Sequence, residues 1–276
     1  MRDDKTAVKK VLALGALGLA LAAAILALCL RIGGGGFVGS GLEGGGSVYY
    51  QRARDTGGRI DGIVIGVEGL TGGFKPEAVA APGDRAVSDS VYEPLVSVGP
   101  DGQPVSVLAR EIGISEDGLT YTVSLREGVA FQDGQPLLAE DAVASVLACA
   151  GRQTRHERFL AGLVGYEDYV NGRANSLAGV QAAGEGTVTF TFVVPSPGNI
   201  WALGVGTQKA AEIGNGGVYN GTGPYRLAGW DHAGREARLS PNEAYRGKAP
   251  AGDITLREID LASGAALYQA GEIDAL

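Results

Sequence analysis

Val11 to Leu30 is a run of 20 residues without a single charged or polar side chain. As a helix it would extend roughly 30 Å, enough to cross the hydrocarbon core of a bilayer. Residues 1–31 therefore read as a membrane or export segment, separate from what folds after them. Arg2, Lys5, Lys9 and Lys10 precede it, diluted by Asp3 and Asp4. The excess of basic residues places that end in the cytoplasm and everything beyond Arg31 outside. The run predicts a retained transmembrane anchor. A cleaved signal peptide has a shorter apolar stretch and a small-x-small cleavage site. A lipid-modified cysteine at Cys29 is the other alternative, although Leu28 is large where a small residue is expected.

A second feature isolates the folded part further. Gly33-Gly34-Gly35-Gly36, Gly39-Ser40-Gly41 and Gly44-Gly45-Gly46-Ser47 follow the apolar run. Residues 32–59 therefore read as a flexible tether. Gly34, Gly36 and Gly39 have the spacing of a dinucleotide fingerprint, but that motif needs a strand before it and a helix after it. Neither context is present, and nucleotide binding is set aside.

From about Ile60 the composition becomes that of a globular domain. Ile60 to Val67 reads as a short, largely apolar strand, and 69–76 as a loop. Ala86 to Leu95 is expected to be helical, ending near Pro94. Thr120 to Leu125 alternates as a half-buried strand between the turn signals Glu116-Asp117-Gly118 and Arg126-Glu127-Gly128. Phe131-Gln132-Asp133-Gly134-Gln135-Pro136 is another turn. A helix is predicted over 138–150, with Glu140 and Asp141 in the first turn, where the helix dipole favours carboxylates. Ala142, Val143, Val146 and Leu147 form its buried stripe. A second helical region is predicted over 157–171. Val188 to Val193 reads as a strand closed by prolines, and further strands are expected at 225–227, 237–239 and 254–259. The irregular alternation of strands and helices argues for a mixed α/β fold.

Charge and rare residues narrow the chemistry. Lys+Arg 23 against Asp+Glu 31 gives a formal net charge of -8, which disfavours a nucleic-acid partner. His156 and His232 are far apart and have no neighbouring ligand cluster, so no dedicated metal site is expected. His156 reads as part of a solvated helical turn. Cys149 falls on the apolar side of its helix as a small hydrophobe. Trp201 and Trp230 read as core residues, with peptide stacking as the alternative. There is no Gly-x-Ser-x-Gly elbow, and neither histidine has a paired acid. Asn220-Gly221-Thr222 fits a glycosylation pattern but reads as structural. No catalytic constellation and no cofactor are expected.

Several stretches, taken in order, resemble the family-5 extracellular solute-binding proteins, the oligopeptide, dipeptide and nickel receptors of ABC importers. They begin with Val91-Tyr92-Glu93-Pro94-Leu95, then Asp101-Gly102, Pro104 and Leu108-Ala109. The longest runs are Asp117 to Val123, Leu125 to Val129, Phe131 to Leu137, and Ala139-Glu140-Asp141. Gly221-Thr222-Gly223-Pro224-Tyr225, Asn242, Tyr245-Arg246-Gly247 and Ala270-Gly271-Glu272-Ile273-Asp274 complete the series. The resemblance covers roughly 60–276. It implies an α/β lobe of the type II periplasmic binding protein kind, with an inserted mixed α+β subdomain at about 95–200. Family members have a second lobe inserted beyond a segment like 270–274. The expectation is therefore a first lobe truncated before the second, whose ligand-ammonium acid has no counterpart here.

The resemblance also implies function. The partners would be a peptide or other small solute and ABC permease subunits in the membrane, with no catalysis. The nickel-binding relatives leave a metal chelate open as the solute. A non-transport sensory or protein-interaction module built on one lobe is the alternative. By resemblance the loop after the first strand faces the ligand, which singles out Glu68, Gly69, Gly72, Gly73 and Phe74. An ordinary tight loop is the competing reading, because glycine serves both. Tyr92 and Glu93 are further candidates, against a role in helix-end packing.

Overall fold

A computed structural model describes residues 62–248 and 250–276. The apolar run Val11–Leu30 and the glycine-rich stretch 32–59 lie outside the described residues. Among the described residues, no helix is long and apolar enough to cross a membrane.

Two hydrophobic cores organise the described residues. The first is built on a four-stranded sheet. Strand β1 (Gly62–Val67) pairs in parallel with β10 (Asp253–Glu258), which pairs antiparallel with β9 (Glu236–Pro241), which in turn pairs with β8 (Tyr225–Asp231). On the free side of β1, Asp274 N–H donates to the Val64 carbonyl at 2.7 Å and Gly66 N–H to the Ala275 carbonyl at 2.9 Å. The chain therefore begins a further parallel pairing there. Helix α1 (Pro82–Val91) covers the sheet, burying Val87 and Val91 among Ile65, Val67, Leu70, Phe74, Leu239 and Leu256.

The second core lies between residues 95 and 205. Strands β2 (Val96–Val98) and β3 (Pro104–Ser106) form a small hairpin at its start. An antiparallel sheet follows, in the order β4 (Ala109–Ile114), β5 (Thr120–Leu125), β7 (Thr187–Thr191), β6 (Val180–Ala182). Tyr121, Val123 and Leu125 point inward from β5, opposite Val188 and Phe190 of β7. This is the alternation expected of a sheet with one wet face. Helix α2 (Ala139–Cys149) packs on β6 and β7. Its predicted stripe is buried at Ala142 and Val146 and half-buried at Val143 and Leu147. Cys149 is fully enclosed, and burial pushes its thiol up to about 12.

Two helix expectations change. The predicted helix Ala86–Leu95 instead starts at Pro82, where the fixed φ of proline suits a first helical residue. It stops at Val91 because Tyr92 is already extended ahead of Pro94. The predicted helical region 157–171 is two short helices, α3 (Glu157–Leu160) and α4 (Tyr166–Val170). Between them Val164 N–H donates to the Thr191 carbonyl at 3.0 Å and Val164 accepts from Gly179 N–H at 2.7 Å. Pairing with the sheet edge satisfies this backbone better than a continuous helix would. Strands β2, β3, β4 and β6 were not anticipated, because they are short or lack clean alternation.

The cores join where 205–210 and 221–223 pass α1. An ideal Cβ on Gly221 would lie 1.9 Å from the Val91 carbonyl oxygen. No side-chain adjustment relieves a clash with backbone. Gly221→Ala is expected to lower stability by about 2–3 kcal/mol or more. Gly186→Ala, where a Cβ meets nothing within 4 Å, should stay within about 1 kcal/mol. Chemical denaturation of both variants checks this, and equal losses would refute the packing argument.

Candidate functional site

The candidate loop follows directly from β1. The first backbone N–H groups of α1 need acceptors, and Ala81 before the helix offers no side-chain cap. The loop supplies them: Gly83 N–H donates to the Glu68 carbonyl at 2.8 Å and Asp84 N–H to the Gly69 carbonyl at 3.3 Å. The helix returns the favour through a carboxylate. Asp84, fully buried in the first turn, accepts Thr71 N–H at 2.7 Å and Gly72 N–H at 3.1 Å on Oδ1. Its Oδ2 accepts the Thr71 hydroxyl. Three donors and the helix dipole together stabilise the charge that burial disfavours.

The loop glycines are set by close approach. Gly72 has φ +95, and a Cβ there would sit 3.0 Å from Trp230 Nε1. The half-buried Trp230 packs edge-on against Phe74, ring centroids 5.1 Å apart, and His232 lies beyond it at 6.0 Å. Phe74 itself is enclosed in the first core, also against Tyr219.

Because β1 and β10 run parallel, both end at the same edge of the sheet. A shallow open depression lies there, lined by Glu68, Gly69, the 233–235 hairpin tip and Glu258, Ile259 and Asp260. Depressions at the carboxyl ends of parallel strands are where open α/β sheets bind ligands. Arg235 and Glu258 pair across it through both carboxylate oxygens, at 2.7 and 2.6 Å. Asp260 caps the following helix α5 (Leu261–Ala270) by accepting Ala262 N–H at 3.0 Å.

The candidate residues therefore separate into groups. Glu68 and Gly69 line the depression, and Gly72 is half-exposed beside Trp230. Gly73 packs tightly on the Ala78 carbonyl, 2.7 Å from an ideal Cβ. Phe74, Tyr92 and Glu93 have buried side chains. Burial pushes the Tyr92 phenol well above its usual range, with Glu77, Tyr219 and Glu212 adding to the effect. Arg235, Glu258 and Asp260 were missed in the sequence. Their only signal is a position at a strand end or hairpin tip, which appears once the register is known.

Glu93 sits at a different place, the junction of the two cores. It is 6% exposed and pairs with Arg246, whose Nη2 is at 2.9 Å. It also accepts from Thr222 Oγ1 at 3.1 Å and from Tyr245 OH at 3.3 Å. Burial of Arg246 opposes its charge, but the hydrogen bond and charge of Glu93 prevail and hold its pKa above the ordinary value. Arg246 Nη2 reaches the Val107 carbonyl at 3.4 Å as well. Around this pair, Thr207 N–H donates to the Glu93 carbonyl at 2.8 Å and Gly223 N–H to the Val91 carbonyl at 2.9 Å. Asn242 Nδ2 donates to the Gly223 carbonyl at 2.8 Å. Gln132 donates its backbone N–H to Gly221 at 3.1 Å and its Nε2 to the Tyr225 carbonyl at 3.1 Å.

His156, expected in a solvated turn, instead packs its ring on Gly204 and accepts a hydrogen bond from Arg155 Nε at 2.8 Å. Among the described residues, no group of three or more His, Cys, Asp or Glu is placed to hold a metal.

Comparison with known proteins accounts for this architecture. Residues 103–276 match the family model described as bacterial extracellular solute-binding proteins, family 5 Middle. A dipeptide-binding protein of Lactococcus lactis subsp. cremoris (strain MG1363) is 27% identical over 211 residues, 68% of this chain and 38% of the relative. The glutathione-binding protein GsiB of Salmonella typhi is 32% identical over 155 residues, 53% of this chain and 28% of the relative. Haemophilus influenzae OppA, solved in complex with RPPGFSPFR, superposes with a TM-score of 0.68 at 20% identity, covering 77% of this chain and 45% of that one. The pheromone receptor PrgZ, solved with its mode of peptide binding, gives 0.67 at 19% identity, with coverage of 77% and 46%. The chain thus spans less than half the length of these relatives. The match takes in most of the second core, Glu93's partners Thr222, Tyr245 and Arg246, and the 233–235 and 258–260 side of the depression, while β1, Glu68 and Gly69 precede it; the chain belongs to the bacterial extracellular solute-binding proteins of family 5.

Proposed function

We propose that this protein is the substrate-binding component of an ABC importer that captures peptides outside the cytoplasm and delivers them to permease subunits. The observation that carries the reading is the loop Glu68–Phe74, clamped to α1 by Asp84 beside a depression at the ends of two parallel strands. A fixed backbone wall suits a ligand recognised mainly through its own backbone. The relatives named for dipeptide and glutathione binding support peptide as the solute class. Glu68, Gly69 and Gly72 are the proposed contact residues. Gly73 and Phe74 support the wall from behind, and Tyr92 and Glu93, at the far end of α1, act on it only through that helix. The cargo is bound and released unchanged.

The chain is further proposed to be tethered at the membrane. The uncharged run Val11–Leu30, the basic residues before it and the glycine-rich stretch 32–59 support this reading. In this division residues 1–31 are stub and anchor, 32–59 the linker, and 60–276 the binding lobe, with its inserted subdomain at about 95–200. The two separate hydrophobic cores support the subdomain boundary.

Calorimetry on the whole protein isolated from its own cells tests the peptide reading. Di- and tripeptides should bind saturably, and sugars of similar size should not. Absence of peptide binding, or hydrolysis of the bound peptide, would contradict it.

A substitution tests the wall. Asp84→Ala leaves three loop donors without their acceptor, a loss of about 2–3 kcal/mol locally. Hydrogen exchange at Thr71 and Gly72 should accelerate, and peptide affinity should fall at least about tenfold. Asp84→Asn keeps an amide oxygen for the two N–H groups and should lose much less. Unchanged exchange in Asp84→Ala would show that the carboxylate does not hold the loop.

A further inference from the structure

The two cores touch a second time, away from Glu93, through a chain of three side chains. Arg155, in the loop before α3, donates Nη1 and Nη2 to the two carboxylate oxygens of Asp89 on α1, at 3.1 and 2.8 Å. The same guanidinium donates Nε to His156 Nε2 at 2.8 Å. Arg155 is thus held in place from both ends, by the exposed carboxylate of Asp89 on α1 and the half-buried imidazole of His156 beside α3. His156 is itself fixed against Gly204, where an ideal Cβ would lie 2.9 Å from its Cε1. Gly204 closes the 3-10 segment Pro197–Gly204, two residues before Gly206, which forms an isolated antiparallel bridge with Pro94.

The hydrogen bond from Arg155 fixes the chemistry of the ring. Nε2 accepts, so the imidazole is neutral and its proton is on Nδ1. A second proton could go only to Nε2, where Arg155 Nε–H already points. Two donors would then face each other, and a cation would be created beside an arginine. We propose that His156, Arg155 and Asp89 form an acid-released latch between α1 and the second core.

The groups around the ring favour release. Arg155 and Arg158 flank it on its own segment, and Arg85 faces it from α1. Arg85 Nε is buried without a hydrogen-bond partner, and His156 Nδ1 faces the Trp201 backbone, which favours the charged ring. Asp89 is the carboxylate on α1, and both its oxygens are taken by Arg155. Glu157, the carboxylate on α3, binds Gly151 N–H at 3.2 Å through Oε1 and leaves Oε2 buried and unpartnered. The 3-10 segment brings the Trp201 backbone but no ionisable group. Burial and then the Arg155 charge hold the imidazole down to about 3, with Arg85 and Arg158 acting in the same direction and outweighing the hydrogen bond at the Trp201 backbone, which acts against them.

The sign follows from linkage. The folded pKa is depressed below the ordinary 6.5, so the latch contributes fully above about pH 6.5 and weakens as pH falls below it. An opened latch exposes the ring and restores its ordinary pKa. Opening should therefore become about 30-fold more favourable between pH 7.5 and pH 5.0.

Hydrogen exchange read by mass spectrometry on the whole protein, with times scaled to the intrinsic rate at each pH, tests this. Peptides covering 85–92 and 151–160 should lose protection about 30-fold at pH 5.0 relative to pH 7.5. Peptides covering β1 and β10 should keep theirs. His156→Gln supplies an untitratable oxygen to Arg155 and should abolish the pH difference. Should that variant fold poorly, Asp89→Asn gives a second reading: the latch is then weak at both pH values and the ratio shrinks. A uniform loss of protection in every peptide, no loss at pH 5.0, or an undiminished ratio in both variants would each overturn the proposal.

Discussion

The joint between the two cores is built around Glu93, a buried carboxylate that could not stand alone. Glu93 is withdrawn from water at the point where the chain leaves α1 for the second core. Removing an ionised carboxylate from solvent without partners costs several kcal/mol, so the surrounding chain must supply donors of fixed geometry. It supplies them from sequence-distant places: Thr222, Tyr245 and both guanidinium nitrogens of Arg246. Gly221 and Gly223 let the backbone of that segment pass close enough to α1 for these contacts to form. The requirement of one charge thereby fixes how segments around 93, 207, 222 and 245 approach one another.

Helix α1 transmits this constraint toward the candidate site. It is ten residues long, about 15 Å. At its C-terminal end lies the Glu93 junction. At its N-terminal end, Asp84 and the first backbone N–H groups hold the loop after β1. The helix is thus a strut between the joint of the two cores and the wall beside the depression. Arg155 on Asp89 grips it in between. Substitutions at the joint are expected to act on the loop through this strut even though they touch no ligand.

Legibility in the sequence followed the locality of the signal. The strand Thr120–Leu125 was readable because alternation and flanking Asp-Gly turns are local. The turn at Asp133-Gly134 was likewise local. Its neighbour Gln132, however, bonds across to Gly221 and Tyr225, which no turn rule contains. Helix α1 begins four residues before its apolar pattern does, because Pro82 suits a first helical position that periodicity does not report. Residues 157–171 looked helical because the edge pairing of Val164 with Thr191 is nonlocal. The candidate loop was located from resemblance, yet the sequence could not separate Glu68 and Gly69, which line the depression, from Phe74, which is enclosed. Nor could it show that Glu93 answers to Arg246, 153 residues away.

The most direct measurement is a double-mutant cycle on that pair. Glu93→Gln, Arg246→Met and the double variant would be compared by chemical denaturation. Each single change is expected to destabilise by about 3 kcal/mol, because it leaves the other group buried without its partner. The double change should lose clearly less than the sum, with a coupling of at least about 1.5 kcal/mol. Losses that add to within about 0.5 kcal/mol would mean that Glu93 and Arg246 do not act as one unit, and the joint would have to be held by something else.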